Sequence, residues 1–157
     1  MKQKILSFLD SLKIEYKNYE HKPVFTCEEA KCLEVPWKGV KSLFVRNKKA
    51  TKYYMIVLED DKKFDSNLFR EIIWENKISF ASEQRMLNKI WVKLGSVSPF
   101  ALINNLEKDV EVIFNSSLKN CEIWFHPWKN DNTTVLKIAW VEEFLEKLGI
   151  KFNYLEL

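Results

Sequence analysis

Only three glycines and four prolines interrupt the 157 residues of this chain. Linkers and domain boundaries are usually drawn from Gly-, Pro- and Ser-rich stretches. No such stretch, low-complexity tract or internal repeat occurs here. The expectation is one compact domain over residues 1–157. Apolar residues make up 46% and aromatic residues 14%, which at this length is enough to build a core without staples.

Periodicity fills that unit with alternating elements. Ile5, Phe8, Leu9 and Leu12 recur at helical spacing and predict an opening helix. Ile14, Tyr16 and Tyr19 to His21 read as extended. Thr26 with Glu29 has the form of a capping box and predicts a short helix to about Leu33. Val40–Val45 and Tyr53–Leu58 read as a hairpin of strands joined through Asn47–Ala50. Asp65 or Ser66 can cap a helix carrying Leu68, Phe69, Ile72 and Ile73, and Ser82 one carrying Met86, Leu87 and Ile90. Between these helices lies a short strand, Ile78–Phe80. Ala101–Ile103, Val110–Phe114, Cys121–Phe125 and Thr134–Ile138 read as further strands, with a turn at Asn104-Asn105. Val141 to Leu148 form a closing helix stopped by Gly149, and Ile150–Leu155 a last strand. The interleaving predicts an α+β fold, with helices outside a mixed, mostly antiparallel sheet.

Charge and cysteine usage narrow the partners. A net charge of +3 and a pI near 8.6 permit a phosphate-bearing ligand without requiring one. Cys27, Cys32 and Cys121 are odd in number and lack C-x-x-C spacing, so neither a disulfide framework nor a zinc site is expected. No secretory signal is evident at Met1–Ile5, and no stretch approaches the ~20 apolar residues of a membrane span. These features predict a cytoplasmic protein without membrane contact.

Three segments combine residue types suited to chemistry. In Val40-Lys41-Ser42-Leu43-Phe44, strand alternation puts Lys41 with Leu43 and Val45, and Ser42 with Val40 and Phe44. Lys41 there either snorkels at an edge or projects into a cleft. In Gly95-Ser96-Val97-Ser98-Pro99-Phe100, Gly95 tolerates unusual backbone angles and Pro99 biases Ser98 towards an extended conformation. Successive amides in such a turn can receive an anion. His126, in Phe125-His126-Pro127-Trp128-Lys129-Asn130, could serve as a base near neutral pH. No nucleophile-elbow context accompanies it, so Ser96 and Ser98 are candidates only through proximity. As plain structure, the same segments read as an exposed lysine, a Gly/Pro turn and a strand-end histidine.

In order and spacing, these three segments resemble the YbaK/ProX-type aminoacyl-tRNA deacylases. The stretch His21-Lys22-Pro23-Val24-Phe25-Thr26 adds a fourth match, and the likeness runs over nearly the whole chain. It looks closest to the alanyl-tRNA(Pro) deacylase subgroup, PrdX or ProXp-ala. The resemblance implies a YbaK-like fold of the prolyl-tRNA synthetase-associated kind, with no cofactor or metal. It implies that Lys41 anchors the terminal nucleotide and its ester, and that Gly95, Ser96, Val97 and Ser98 cradle the terminal adenosine and aminoacyl carbonyl. His126 would line the pocket and support catalysis. Pro23, Val24, Phe25, Thr26, Ser42, Pro99, Phe100, Asn130 and Thr133 would contact substrate. Ser42 departs from the subgroup's usual Asn, and Trp128 and Lys129 are bulkier or more basic than its usual residues.

The activity so implied is trans-editing: hydrolysis of the ester of a mischarged tRNA(Pro), with alanine the first expectation. The partners would be the tRNA acceptor end and prolyl-tRNA synthetase; the sequence leaves the oligomeric state open, with a monomer favoured. The alternatives are a deacylase for another charged tRNA, such as cysteinyl-tRNA(Pro), and a non-catalytic module binding tRNA or a synthetase.

Overall fold

The computed structural model describes residues 2–20, 22, 38–125 and 132–157. Within them the chain runs α1 (Lys2–Ser11), β1 (Lys17–Glu20), β2 (Lys38–Asn47), β3 (Tyr53–Glu59), α2 (Ser66–Ile72), β4 (Ile78–Phe80) and α3 (Glu83–Ile90). A 3₁₀ helix (Pro99–Asn104) follows, then β5 (Val110–Asn115), β6 (Glu122–Phe125), β7 (Asn132–Lys137), α4 (Ile138–Leu148) and β8 (Phe152–Leu155). The capping box at Thr26 and the helix expected to follow it lie outside the described residues.

The strands form one sheet in the order β1-β7-β6-β2-β3-β5-β8, with β4 added beside β2. Pairings β1–β7, β2–β3, β2–β4 and β6–β7 are antiparallel. Pairings β2–β6, β3–β5 and β5–β8 are parallel. The sheet is therefore mixed and mostly antiparallel. All seven residues of β3 are buried, because it is central and covered on both faces. Its alternate residues feed two cores. Tyr53, Met55 and Val57 join Phe44, Phe100, Phe114 and Phe144 under α1, α4 and the 3₁₀ helix. Tyr54, Ile56 and Leu58 join Val45, Ile113 and Phe69 of α2.

Local chemistry sets the helix ends. The Asp65 carboxylate accepts from the amides of Asn67 and Leu68 at 2.9 and 3.1 Å, and the Ser82 hydroxyl accepts from the Arg85 amide. Each satisfies amide groups that a helix start leaves unpaired, at about 1 kcal/mol per cap. Gly149, at φ +70°, closes α4.

Three expectations are corrected. Ala101–Ile103 is not a strand but the centre of the 3₁₀ helix, since Pro99 presets the φ of a first helical residue and Ser98 flanks it in an extended conformation. Asn104 and Asn105 do not form a hairpin turn. Their side-chain amides donate to the carbonyls of Ile90 and Lys89, tying the 3₁₀ helix to the end of α3. Ile138, placed in a strand by pattern, instead opens α4.

Candidate active site

β2 is partnered unevenly, and the unevenness opens a site. Along one side β3 pairs with it from Val40 to Arg46. On the other side β6 takes Lys38 and Gly39, and β4 takes Val45 to Asn47. Among the described residues no strand pairs with Val40 to Leu43 on that side. The Ala81 amide donates to the Phe44 carbonyl at 2.9 Å. Strand alternation therefore aims the peptide groups of Ser42 into the same gap.

Lys41 stands in this stretch opposite Leu58. Its ammonium, partly buried, donates to the Asp60 carbonyl at 3.0 Å. The Asp60 amide donates in turn to the Gly39 carbonyl at 3.1 Å. A Cβ at Gly39 would lie 2.8 Å from an Asp60 carboxylate oxygen and 3.1 Å from the Trp124 ring, so glycine is what lets the three groups converge. Asp60 was not singled out by sequence. The only signal was an acidic run, Glu59-Asp60-Asp61, at the end of an apolar strand.

The second segment is a loop with open amides. Gly95 has φ +83°, and among the described residues no atom beyond its chain neighbours lies within 4 Å of where a Cβ would stand. The Ser96 amide donates to the Lys93 carbonyl at 3.1 Å and closes the turn. Among the described residues, the amides of Gly95, Val97 and Ser98 have no acceptor. Ser98 is extended, as the following proline requires, and only 2% exposed, yet its hydroxyl has no hydrogen-bond partner among the described residues. The Ser42 hydroxyl is likewise buried without one. Buried polar atoms are nearly always paired, so an orphan in the β2 stretch and another in the loop are informative.

Phe100 anchors this loop. Its ring is fully buried, edge-on to Phe125 at 5.7 Å and to Phe144 at 5.4 Å. It and the buried Pro99 hold the loop in place rather than present an open surface. Phe125 ends β6, one residue before His126, and the preceding Trp124 meets Gly39. β6 therefore meets the edge of the β2 gap through Trp124 and the Gly95–Phe100 loop through Phe125. His126, Asn130 and Pro23 to Thr26 lie outside the described residues.

The faces sort the remaining candidates. Leu43 and Val45 belong to the second core, and Lys41 rises from that face. Val40 and Phe44 belong to the first core, where Val97 and Phe100 also pack. Ser42, not Lys41, thus shares a face with the loop. In β7, Thr134 is opposite Phe125, while Thr133, fully buried, alternates onto the face of Trp124 and Val135. The Thr134 hydroxyl donates to the Asn18 side-chain carbonyl at 3.1 Å. Among the described residues no group of three or more His, Cys, Asp or Glu could hold a metal ion, and no helix is long and apolar enough to cross a membrane.

Residues 21–144 match the aminoacyl-tRNA editing domain family. The chain is 36% identical over 160 residues to the prolyl-tRNA editing protein ProX of Acetoanaerobium sticklandii, covering 99% of this chain and 97% of that protein. It is 30% identical over 152 residues to prolyl-tRNA synthetase associated domain-containing protein 1 of Danio rerio, covering 94% and 82%. A crystal structure described as a candidate trans-editing enzyme for prolyl-tRNA synthetase superposes with a TM-score of 0.75 at 15% identity, over 99% of this chain and 96% of that one. That likeness establishes the fold. The sequence matches establish the family: the chain belongs to the aminoacyl-tRNA editing domain family and is a hydrolase of the aminoacyl-tRNA ester.

Proposed function

We propose that this protein is a trans-editing deacylase that removes alanine from mischarged tRNA(Pro). The observation that carries the reading is the Gly95–Ser98 loop, where three amides and one buried hydroxyl have no partner among the described residues. The similarity to a protein named for prolyl-tRNA editing supports proline tRNA as the substrate class.

An aminoacyl ester is already activated, so positioning and polarisation can supply most of the acceleration. Water adds to the ester carbonyl carbon, and the carbonyl oxygen takes the negative charge. The amides of Gly95, Val97 and Ser98 receive that oxyanion. Collapse breaks the bond to the ribose oxygen, which leaves with a proton as a free hydroxyl. The products are the amino acid and uncharged tRNA. The neighbouring ribose hydroxyl assists the attacking water, and His126 supports the pocket.

The faces divide the labour further. Lys41 rises on the face away from the loop, so it grips the terminal nucleotide rather than the reacting carbonyl. A compact ammonium suits a phosphate or sugar oxygen. Ser42 and Ser98 sit on the loop's side and offer their hydroxyls to the α-ammonium or the water. A pocket that admits alanine and rejects proline adds discrimination that a synthetase, at ~1–3 kcal/mol per methylene, lacks.

The test is release of amino acid from tRNA(Pro) charged with alanine, serine, cysteine or proline. Alanine should be released fastest and proline spared. Preferential release of cysteine would reassign the substrate. Binding of tRNA without release of any of the four, by wild type and Lys41→Ala alike, would leave a non-catalytic module.

A further inference from the structure

The end of α3 carries a feature that the hydrolytic site does not use. Trp91 closes that helix with φ 59° and ψ 30°, its amide donating to the carbonyls of Leu87 and Met86. Helices commonly end in this left-handed conformation, but with glycine, since a side chain there costs roughly 1–2 kcal/mol. Among the described residues Lys13, Ala50, Trp74, Lys108 and Asn120 also have positive φ, so what sets Trp91 apart is its place just before the open-amide loop. Burial does not explain its conformation, because Trp91 is 51% exposed.

Its neighbours extend the same surface. Val92 is buried and pins the segment, while Lys93 is exposed and Leu94 is 72% exposed. Leu106, 80% exposed, follows the two asparagines that bind the end of α3. The acidic groups nearby, Glu107 and Asp109, are both engaged by Lys89. Lys93 has no acidic partner among the described residues. Its carbonyl takes the Ser96 amide, so the segment runs directly into the open-amide loop. Gly95 is four positions after Trp91, a span of at most about 14 Å.

We infer that Trp91, Lys93 and Leu94 form a ledge for the unpaired nucleotides that precede the terminal adenosine of the tRNA, with a base stacked on the Trp91 ring. This rests on the deacylase reading only in placing the terminal nucleotide at the Gly95–Ser98 loop. An exposed aromatic face beside an unpaired lysine is the combination that holds single-stranded nucleic acid without regard to sequence. The ledge is also continuous with the open-amide loop through the Ser96 amide, which donates to the Lys93 carbonyl. The purely apolar character expected of a protein docking patch is broken here by Lys93.

The test compares wild type, Trp91→Gly and Trp91→Tyr on two substrates, alanyl-tRNA(Pro) and the alanyl ester of adenosine. Glycine removes the ring and suits the left-handed backbone, so the fold should hold, as thermal unfolding would record. The expected result is a KM for the tRNA raised about ten-fold in Trp91→Gly, with kcat within two-fold and Trp91→Tyr near wild type. The KM for the adenosine ester should move by less than two-fold. Lys93→Ala should weaken tRNA binding and reduce its salt dependence by about one ion. An unchanged tRNA KM in Trp91→Gly, or an equal rise on both substrates, overturns the ledge. If wild type hydrolyses neither ester, the deacylase reading fails separately. The ledge is then decided by binding of uncharged tRNA against the same tRNA lacking its last three nucleotides. A preference for the longer RNA that Trp91→Gly abolishes upholds it, and no preference sinks it.

Discussion

Gly39 and Trp124 face each other in parallel register across β2 and β6, and the missing side chain of Gly39 is filled by the Trp124 ring and the Asp60 carboxylate. A methyl group there would stand 2.8 Å from that carboxylate and 3.1 Å from the ring. The carboxylate can swing aside, but the ring belongs to a buried strand. Gly39→Ala should therefore cost about 1–2 kcal/mol in urea unfolding. It should also slow deacylation, because Asp60 carries the carbonyl that holds Lys41. A variant as stable and active as wild type would show that the convergence is slack.

Lys41→Ala removes a donor from the β2 gap without touching either core. Its hydrogen bond to the Asp60 carbonyl is part-buried, so stability should fall by only about 1 kcal/mol. If the ammonium grips the nucleotide, the loss should appear mainly in KM for charged tRNA. A fall in kcat alone would place the amine at the reacting carbonyl instead.

Ser98→Ala separates function from folding. The hydroxyl is buried without a partner among the described residues, and such a group is a net cost to the folded state. Alanine should leave the melting temperature unchanged or raise it, while deacylation falls by about ten-fold or more. A clear loss of stability would mean that the hydroxyl has a structural partner.

Gly95→Ala tests the loop differently. Space is available for the methyl group, but φ of +83° does not suit alanine. The strain should cost about 1 kcal/mol or more and shift the amides behind it. Loss of one well-placed oxyanion donor lowers kcat by about 10²–10³-fold in hydrolases, and an effect of that order is expected here. A kcat within two-fold of wild type would remove the loop from the reaction.

The pH dependence of stability should carry the mark of Asp109. Burial alone would raise its carboxyl, but hydrogen bonds from Lys89 and Asn105 outweigh that and hold it below the ordinary carboxylate range. A depressed folded value stabilises the protein above the unfolded value of about 3.9, and that stability is lost as pH falls through the folded value. Asp109→Asn should therefore be less stable at pH 7 by about 1 kcal/mol and lose less than wild type on acidification. Parallel stability curves from pH 6 to pH 3 would exclude the carboxylate as the source.

Much of the fold was legible where neighbours in sequence are neighbours in space. The spacing of Ile5 and Leu9 gave α1, Asp65 and Ser82 marked the starts of α2 and α3, and the alternation in β2 put Lys41 and Ser42 on opposite faces. Ala101 to Ile103 misled, because a short apolar run has no period of its own and Pro99 decided its conformation. Of the candidate site, the Gly95–Phe100 turn could be read as an open-amide loop. The inward placement of Phe100 could not, since a phenylalanine's burial depends on what packs on it.

By itself the sequence determined local preferences and the residue chemistry: a glycine free to take unusual backbone angles at position 95, an extended Ser98 before Pro99, a lysine on one face of a strand. Only the tertiary structure decided that β6 and β4 would share one side of β2 and leave Val40 to Leu43 between them. It alone brought the Asp60 carbonyl to Lys41 and the Phe125 ring to Phe100. Backbone angles and alternation are fixed within a few residues. Strand order and ring contacts depend on segments tens of residues apart, whose pairing is chosen by burial of the whole core.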